Sequence, residues 1–209
     1  MQLNHQSILE LDERYRRNLI NSIHGAKTIA LIGSKSKDGV SNLAIFSQII
    51  HIGANPPVLG VLFRPDSVNR HTLDNIRDSG HFTYQNVKSE FYKQAHQTSA
   101  RYPDNISEFN ECGLSEEYLS NFPIPFVKES TVKVGLSLAD EIPIKINGTH
   151  LILGKVELLE IDDSYISSDG FVDPFLAETI AGGGLDAYYS LNKLSRLSYA
   201  KPGKPLEDI

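Results

Sequence analysis

The dipeptide Asn147-Gly148 stands between two apolar-rich runs, Ile142 to Ile146 and His150 to Ile161, and this pattern leaves the chain few options. Asn-Gly reaches positive φ at little cost, so it reverses the chain in a short turn whose twist suits antiparallel strands. Just upstream, Val132, Val134, Leu136 and Leu138 alternate strictly, which predicts a strand with one buried and one polar face. A second reversal signal, Asp38-Gly39, separates the buried run Thr28 to Ile32 from a strand predicted over Asn42 to Ile52. That strand ends at Asn55-Pro56-Pro57, because proline donates no ladder hydrogen bond. Val58 to Phe63, ended by Pro65, and Phe82 to Val87 complete the set. Six or more strands without regular strand–helix alternation predict a mainly β chain, a closed or nearly closed antiparallel barrel with peripheral helices.

The helical signals are fewer. Over residues 7–24, Ile8, Leu11, Tyr15 and Leu19 fall at helical spacing; Ser7 with Glu10 forms a capping-box pattern, Tyr15 is a core position and Gly25 is the stop. Asn69 to Ser79 returns to the same period, with Leu73 and Ile76 inward and Gly80 as terminator. A serine cap at Ser89 opens another helix to about Ala95, and Ser115-Glu116-Glu117 opens a helical turn. Residues 88–127 are too poor in apolar side chains for a core of their own, so they form an excursion from one domain spanning 1–209, whose barrel occupies 28–87 and 130–161. A last helix is expected over 186–197, with Leu191, Leu194 and Leu197 near one face, followed by an exposed arm from Lys201 to Ile209.

Composition excludes several functions. The 209 residues carry a formal net charge of -6 and show no basic stripe, which argues against duplex nucleic acid as a partner. A single cysteine, Cys112, excludes an intramolecular disulfide and any cysteine-based metal cluster, and points to a reducing, cytoplasmic setting. No apolar run approaches the roughly 20 residues that cross a bilayer. The seven histidines form no compact metal pattern, and no Gly-x-Ser-x-Gly elbow exists. Acidic neighbours in Asn110-Glu-Cys-Gly113 raise the Cys112 thiol pKa and disfavour a nucleophile. No catalytic or metal-ligating set emerges. There is no Gly-x-Gly-x-x-Gly after a first strand, and Gly182-Gly183-Gly184 lacks the Lys-Ser/Thr of a P-loop; it reads as a weak nucleotide motif or as a flexible lead-in to the last helix.

Two polar groupings remain. Asn42-Leu-Ala-Ile-Phe-Ser47-Gln48 places amide and hydroxyl groups in an otherwise core-like strand. Asn42 and Ser47 are five apart and share a face only if the strand bulges or breaks; otherwise they are satisfied edge groups. In Asn69-Arg70-His71-Thr72, Asn69 caps the helix while first-turn N–H groups, Arg70 and Thr72 suit a phosphate. The alternative is a solvated Arg70 paired with Asp66 or Asp74.

The order of these segments resembles the flavin reductase-like, FMN-binding split-barrel family. The resemblance rests on Asp38-Gly39, Asn42-Leu-Ala44-Ile-Phe-Ser47, Pro56-Pro57, Arg70-His-Thr72-Leu-Asp-Asn75, Phe82-Thr-Tyr-Gln-Asn86 and Gly148-Thr-His150, spread over 28–161. It implies a Greek-key split barrel forming a homodimer that binds FMN. Asn42, Ala44, Ile45, Phe46 and Ser47 would line the isoalloxazine, with Arg64 nearby. Asn69, Arg70, His71 and Thr72 would hold the phosphate, and His150 and Arg196 are further contacts; Arg196 is otherwise a helix-end cation. The implied activity is NADH- or NADPH-dependent flavin reduction, with a monooxygenase or another electron acceptor as partner. Two alternatives share the barrel: an electron-carrying FMN protein reduced by a partner, and a pyridoxamine-phosphate-oxidase-like enzyme. The excursion, with Phe91, Tyr92, Arg101, Tyr102, Phe109 and Tyr118, either covers the cofactor's open face or packs on the barrel.

Overall fold

The computed structural model describes residues 1–65 and 67–209. The chain opens with helices α1 (His5–Leu9) and α2 (Glu13–Ser22). The single helix expected over 7–24 is therefore two, because Asn4 and Asp12 each cap a helix by accepting the backbone N–H of Ser7 and Tyr15. Ser7 lies inside α1 and is not its cap. Neither helix buries a residue, and Tyr15, expected in the core, is 48% exposed. On the apolar stripe of α2, Leu19 is half-buried while Tyr15 and Ile20 stay exposed.

Strands β1 (Lys27–Thr28), β2 (Ala30–Lys35), β3 (Ser41–Phe46), β4 (Ile49–Ala54) and β5 (Pro57–Phe63) follow. Helix α3 (His71–Ser79) stops at Gly80, whose φ of 70° is the left-handed conformation glycine adopts without strain. Strand β6 (His81–Asn86) leads into the excursion, which holds α4 (Tyr92–Gln97), α5 (Glu108–Glu111), β7 (Glu116–Glu117) and β8 (Phe126–Val127). Ser89 does not cap α4, whose N-cap is Phe91. Glu116 and Glu117 pair with Val127 and Phe126, so the helical turn expected there is a strand. The hairpin β9 (Val132–Ile144) and β10 (Thr149–Ile161) turns through Asn147-Gly148 as expected. The chain finishes with β11 (Ile180–Gly183), β12 (Ala187–Ser190) and an extended tail.

Seven strands form one antiparallel sheet in the order β3-β2-β6-β9-β10-β5-β4. Its edge strands, β3 and β4, are consecutive in sequence and joined only by Ser47 and Gln48. A flat seven-stranded sheet would hold its edges about 29 Å apart, whereas a link of this length spans about 10 Å. The sheet must curl into a barrel, split between β3 and β4. This is the mainly β split barrel with peripheral helices that the sequence predicts.

Alternation along β2 sorts side chains between two cores. Ile32 points inward with Val61, Phe82, Leu136 and Ile152, and Leu73 and Ile76 of α3 join the same cluster. Leu31 points outward to Leu43, Phe91, Phe109, Leu114 and Val127, so the excursion packs its apolar residues on the barrel wall. The interior is full: a Cβ on Gly154 would stand 2.4 Å from Cζ of Phe82. The outer face of β9 is covered as well. Lys133 there is only 5% exposed and pairs with Glu117 and Glu160.

The helix expected over 186–197 does not form. Residues 180–190 are instead a hairpin whose first strand pairs with β1. Gly182-Gly183-Gly184 is no helix lead-in. A Cβ on Gly182 would meet Ile29 at 2.6 Å and one on Gly183 would meet Tyr189 at 2.8 Å, so the glycines permit a close strand approach. Leu194 is 92% exposed, and the arm from Lys201 folds back through a bridge between Leu197 and Asp208 while staying exposed. Among the described residues, no helix is long and apolar enough to cross a membrane.

Candidate functional site

A cleft of about 680 Å³ opens beside the split. Its barrel wall comes from β3, the Ser47-Gln48 link, the end of β5 and the start of α3; the facing wall comes from the excursion and the β11–β12 hairpin. Ten of the twelve residues singled out in the sequence line it: Asn42, Ala44, Ile45, Phe46, Ser47, Arg64, Asn69, Arg70, His71 and Thr72. Asn42 and Ser47 share the cleft because the strand predicted over 42–52 breaks after Phe46.

The break has a further consequence. Since β3 is an edge strand, every second backbone N–H points away from β2. That of Leu43 donates to Oε2 of Glu108 at 2.9 Å, and that of Ile45, two residues on, points the same way. Nearby, Nδ2 of buried Asn42 donates to Oγ1 of buried Thr72 at 3.4 Å, which ties β3 to α3.

Helix α3 begins differently from the expectation. Its N-cap is Arg70, not Asn69, and no side chain caps the first turn. The backbone N–H groups at the helix start therefore lack an intrahelical acceptor, which is an anion-binding arrangement. Nε of Arg70 donates to the Pro65 carbonyl at 3.2 Å. Asp74, one expected partner of Arg70, lies 3.6 Å from Arg77; Asp66, the other, is outside the described residues. Desolvation, then the positive charges of Arg64 and Arg101, lower the Arg70 pKa.

His150 and Arg196 do not line this cleft. Nδ1 of His150 lies 2.6 Å from Oε1 of Glu141, which is also held by Arg77. Arg196 pairs with Asp169 at 2.6 Å and covers the Phe171 ring at 4.1 Å, so its expected role as a helix-end cation falls with the helix.

The facing wall adds residues that motif reasoning passed over. Glu108 is 6% exposed, and burial pushes its pKa up against the opposing pull of the Leu43 N–H and His71. His96 Nδ1 and the Tyr188 hydroxyl share a hydrogen bond of 2.7 Å that joins α4 to β12 at the cleft. Arg101 and Tyr102, already named in the sequence as candidate cover for the cofactor's open face, line it too. Of the excursion's other aromatics, Phe91 and Phe109 are buried against the barrel and Tyr118 is 48% exposed. The excursion thus both packs on the barrel and walls the cleft. Burial, with help from Glu108 and Glu111, raises the Cys112 thiol pKa, as its acidic neighbours predict. Among the described residues, no group of three His, Cys, Asp or Glu side chains could hold a metal ion.

The family model for the flavin reductase like domain matches residues 24–171. A candidate flavin reductase with a split barrel domain from Shewanella frigidimarina superposes with a TM-score of 0.92 at 44% identity, over 96% of this chain and 100% of that one. An uncharacterized protein of Halalkalibacterium halodurans is 30% identical over 179 residues, 83% of this chain and 84% of the relative. Nitrilotriacetate monooxygenase component B from Bacillus cereus shares the fold, with a TM-score of 0.83 at 22% identity, over 94% and 98% of the two chains. With the split barrel, the cleft and the family match in agreement, the chain belongs to the flavin-reductase-like family.

Proposed function

We propose that this protein is an FMN-binding oxidoreductase, a flavin reductase that draws on NADH or NADPH. The observation that carries this reading is one cleft joining the edge of β3, an uncapped helix start and three arginines, Arg64, Arg70 and Arg101. These residues fit FMN. A volume of about 680 Å³ lies in the range of ligand clefts. The half-buried Ile45 and Phe46 supply apolar surface for the ring, and the outward N–H of Ile45 supplies a donor toward it. The phosphate belongs at Arg70, His71 and Thr72, where unpaired N–H groups and guanidinium charge meet.

FMN, when bound, supplies hydride acceptance at its flavin N5. The chain's own work is positioning: it presents an apolar strand edge to the ring, directs backbone donors at developing negative charge, and keeps the phosphate end cationic. None of this needs a side-chain acid or base, which agrees with the lack of a hydrolytic set. Likeness to a monooxygenase component supports a partner oxygenase as the acceptor of reduced flavin. The exposed Tyr15, Ile20 and Ile23 of the N-terminal segment support a homodimer that covers them. His150 and Arg196 remain proposed contacts only through such a second copy.

Purified protein is expected to quench FMN fluorescence, and the bound FMN to bleach anaerobically with NADH or NADPH. Bleaching with neither overturns the reductase reading, and reduction only by a partner protein favours an electron carrier.

A further inference from the structure

Arg64 and Arg70 lie close together in sequence and Arg101 far from both, yet all three line one cleft of a protein with net charge -6. Arg64 follows β5 and Arg70 is the N-cap of α3, so both belong to the barrel wall. Arg101 follows α4 and belongs to the excursion. Among the described residues none of the three forms an ion pair, although 20 basic residues share this chain with 26 acidic ones. All three are lining residues of that cleft, and burial, then the positive charges of Arg64 and Arg101, lower the Arg70 pKa. Among the described residues, Glu108 and Asp186 line the same cleft but form no ion pair with the three arginines; like charges gathered without a direct partner raise the energy of the unliganded protein, and an anion that meets all three relieves it.

We propose that Arg101 is a specificity-determining clamp: it reaches from the excursion to the same phosphate that Arg70 and the start of α3 hold, and so selects a phosphorylated flavin over riboflavin. This rests on the proposed FMN cleft and deepens it. A phosphate monoester spans the gap between the two walls as a shared counterion, with the barrel supplying Arg64 and Arg70 and the excursion supplying Arg101. The excursion is well placed to respond. Glu108 of the same segment already holds the Leu43 N–H of β3 at 2.9 Å, and Tyr102, next to Arg101, bonds Gln97 at 3.1 Å. Bound phosphate therefore adds a further link between the excursion and the barrel, at the cleft itself. A flavin without phosphate occupies the ring end and adds no such link, leaving the excursion held to the barrel by its own packing and by Glu108.

The test measures FMN and riboflavin binding by fluorescence quenching in the full-length wild type and in Arg101→Gln. Arg101 is exposed, so the substitution leaves the core intact. FMN affinity is expected to fall about tenfold or more while riboflavin affinity stays within about twofold, the measure of one lost charge-assisted contact. Amide hydrogen exchange over 96–112 should slow with FMN more than with riboflavin, and this difference should vanish in the variant. Unchanged FMN affinity in Arg101→Gln overturns the clamp, as does an equal loss for both flavins. If FMN-loaded wild type binds inorganic pyrophosphate and only that affinity falls in the variant, Arg101 serves a second anion and the clamp is likewise overturned. Wild type that binds neither flavin rejects the FMN reading itself, which separates the two failures.

Discussion

Replacing Glu108 probes how the excursion is fastened to the strand that forms the site. Its Oε2 accepts the N–H of Leu43 at 2.9 Å; Leu43 is fully buried and Glu108 is 6% exposed. In Glu108→Ala that donor keeps no partner inside the protein, a cost of about 1–3 kcal/mol. For a chain of this length that corresponds to a loss of about 2–12 °C in Tm. Glu108→Gln keeps an acceptor oxygen and should cost less. The two variants also separate hydrogen bonding from charge. Burial is the largest influence on the Glu108 carboxyl and raises its pKa above the ordinary 4.5. A carboxyl with a raised folded-state pKa binds its proton more tightly folded than unfolded. Its contribution to stability is therefore full below 4.5 and is lost as pH rises through the folded-state pKa. Gln carries no such term, so Glu108→Gln should gain on wild type as pH increases across that window. Urea denaturation at a series of pH values from 4 upward reads both effects. Wild type gaining on Glu108→Gln with rising pH, or Glu108→Ala matching Glu108→Gln throughout, would refute this account.

Asn86 is 1% exposed; it donates to Thr131, Ala177 and Thr179 and accepts the N–H groups of Thr131 and Val132. Asn86→Ala strands several of these groups, and a loss of about 3 kcal/mol or more is expected in urea denaturation; a loss under about 1 kcal/mol contradicts the network. Gly154→Ala pushes a methyl against Phe82 at 2.4 Å and should cost about 1–3 kcal/mol. Adding Phe82→Leu should recover part of that loss, and a double variant whose losses simply add argues against the contact.

The resemblance draws Asn86 into its motif, and in the fold this residue ties β6 to residues 131–132 and 177–179. The pattern of the chain announces β6 and β9, but not the strand β11 that follows residues 177–179. Asn147-Gly148 and Asp38-Gly39 turn where expected, with Gly148 at φ 71° and Gly39 at φ 85°. The inward faces of β9 and α3 match the periodicity that marks them. Errors fall where a short-range pattern met a longer-range demand. Leu191, Leu194 and Leu197 have helical spacing, yet pairing of Lys27–Thr28 with Ala181–Gly182 sets the strand conformation of the segment before them, and Leu194 ends up in solvent. Tyr15 has core spacing, but α2 buries none of its residues and Tyr15 itself is 48% exposed.

The sequence by itself determined the barrel class, most of its strands, and the run from Asn42 to Ser47 with Arg70 and Thr72 as the candidate site. Alternation, turn dipeptides and helix stops act over a few residues and so can be read locally. Only the tertiary structure decided that the strand breaks after Phe46, so that Asn42 and Ser47 line one cleft, and that Glu108, His96, Tyr188 and Arg101 complete it. Those side chains meet because seven paired strands must curl to join β3 to β4 through two residues, and the excursion then packs Phe109 and Val127 across the outside of the same wall. Closure of a sheet and convergence of charges from distant segments leave no short-range pattern in the chain, because each is a property of the whole fold.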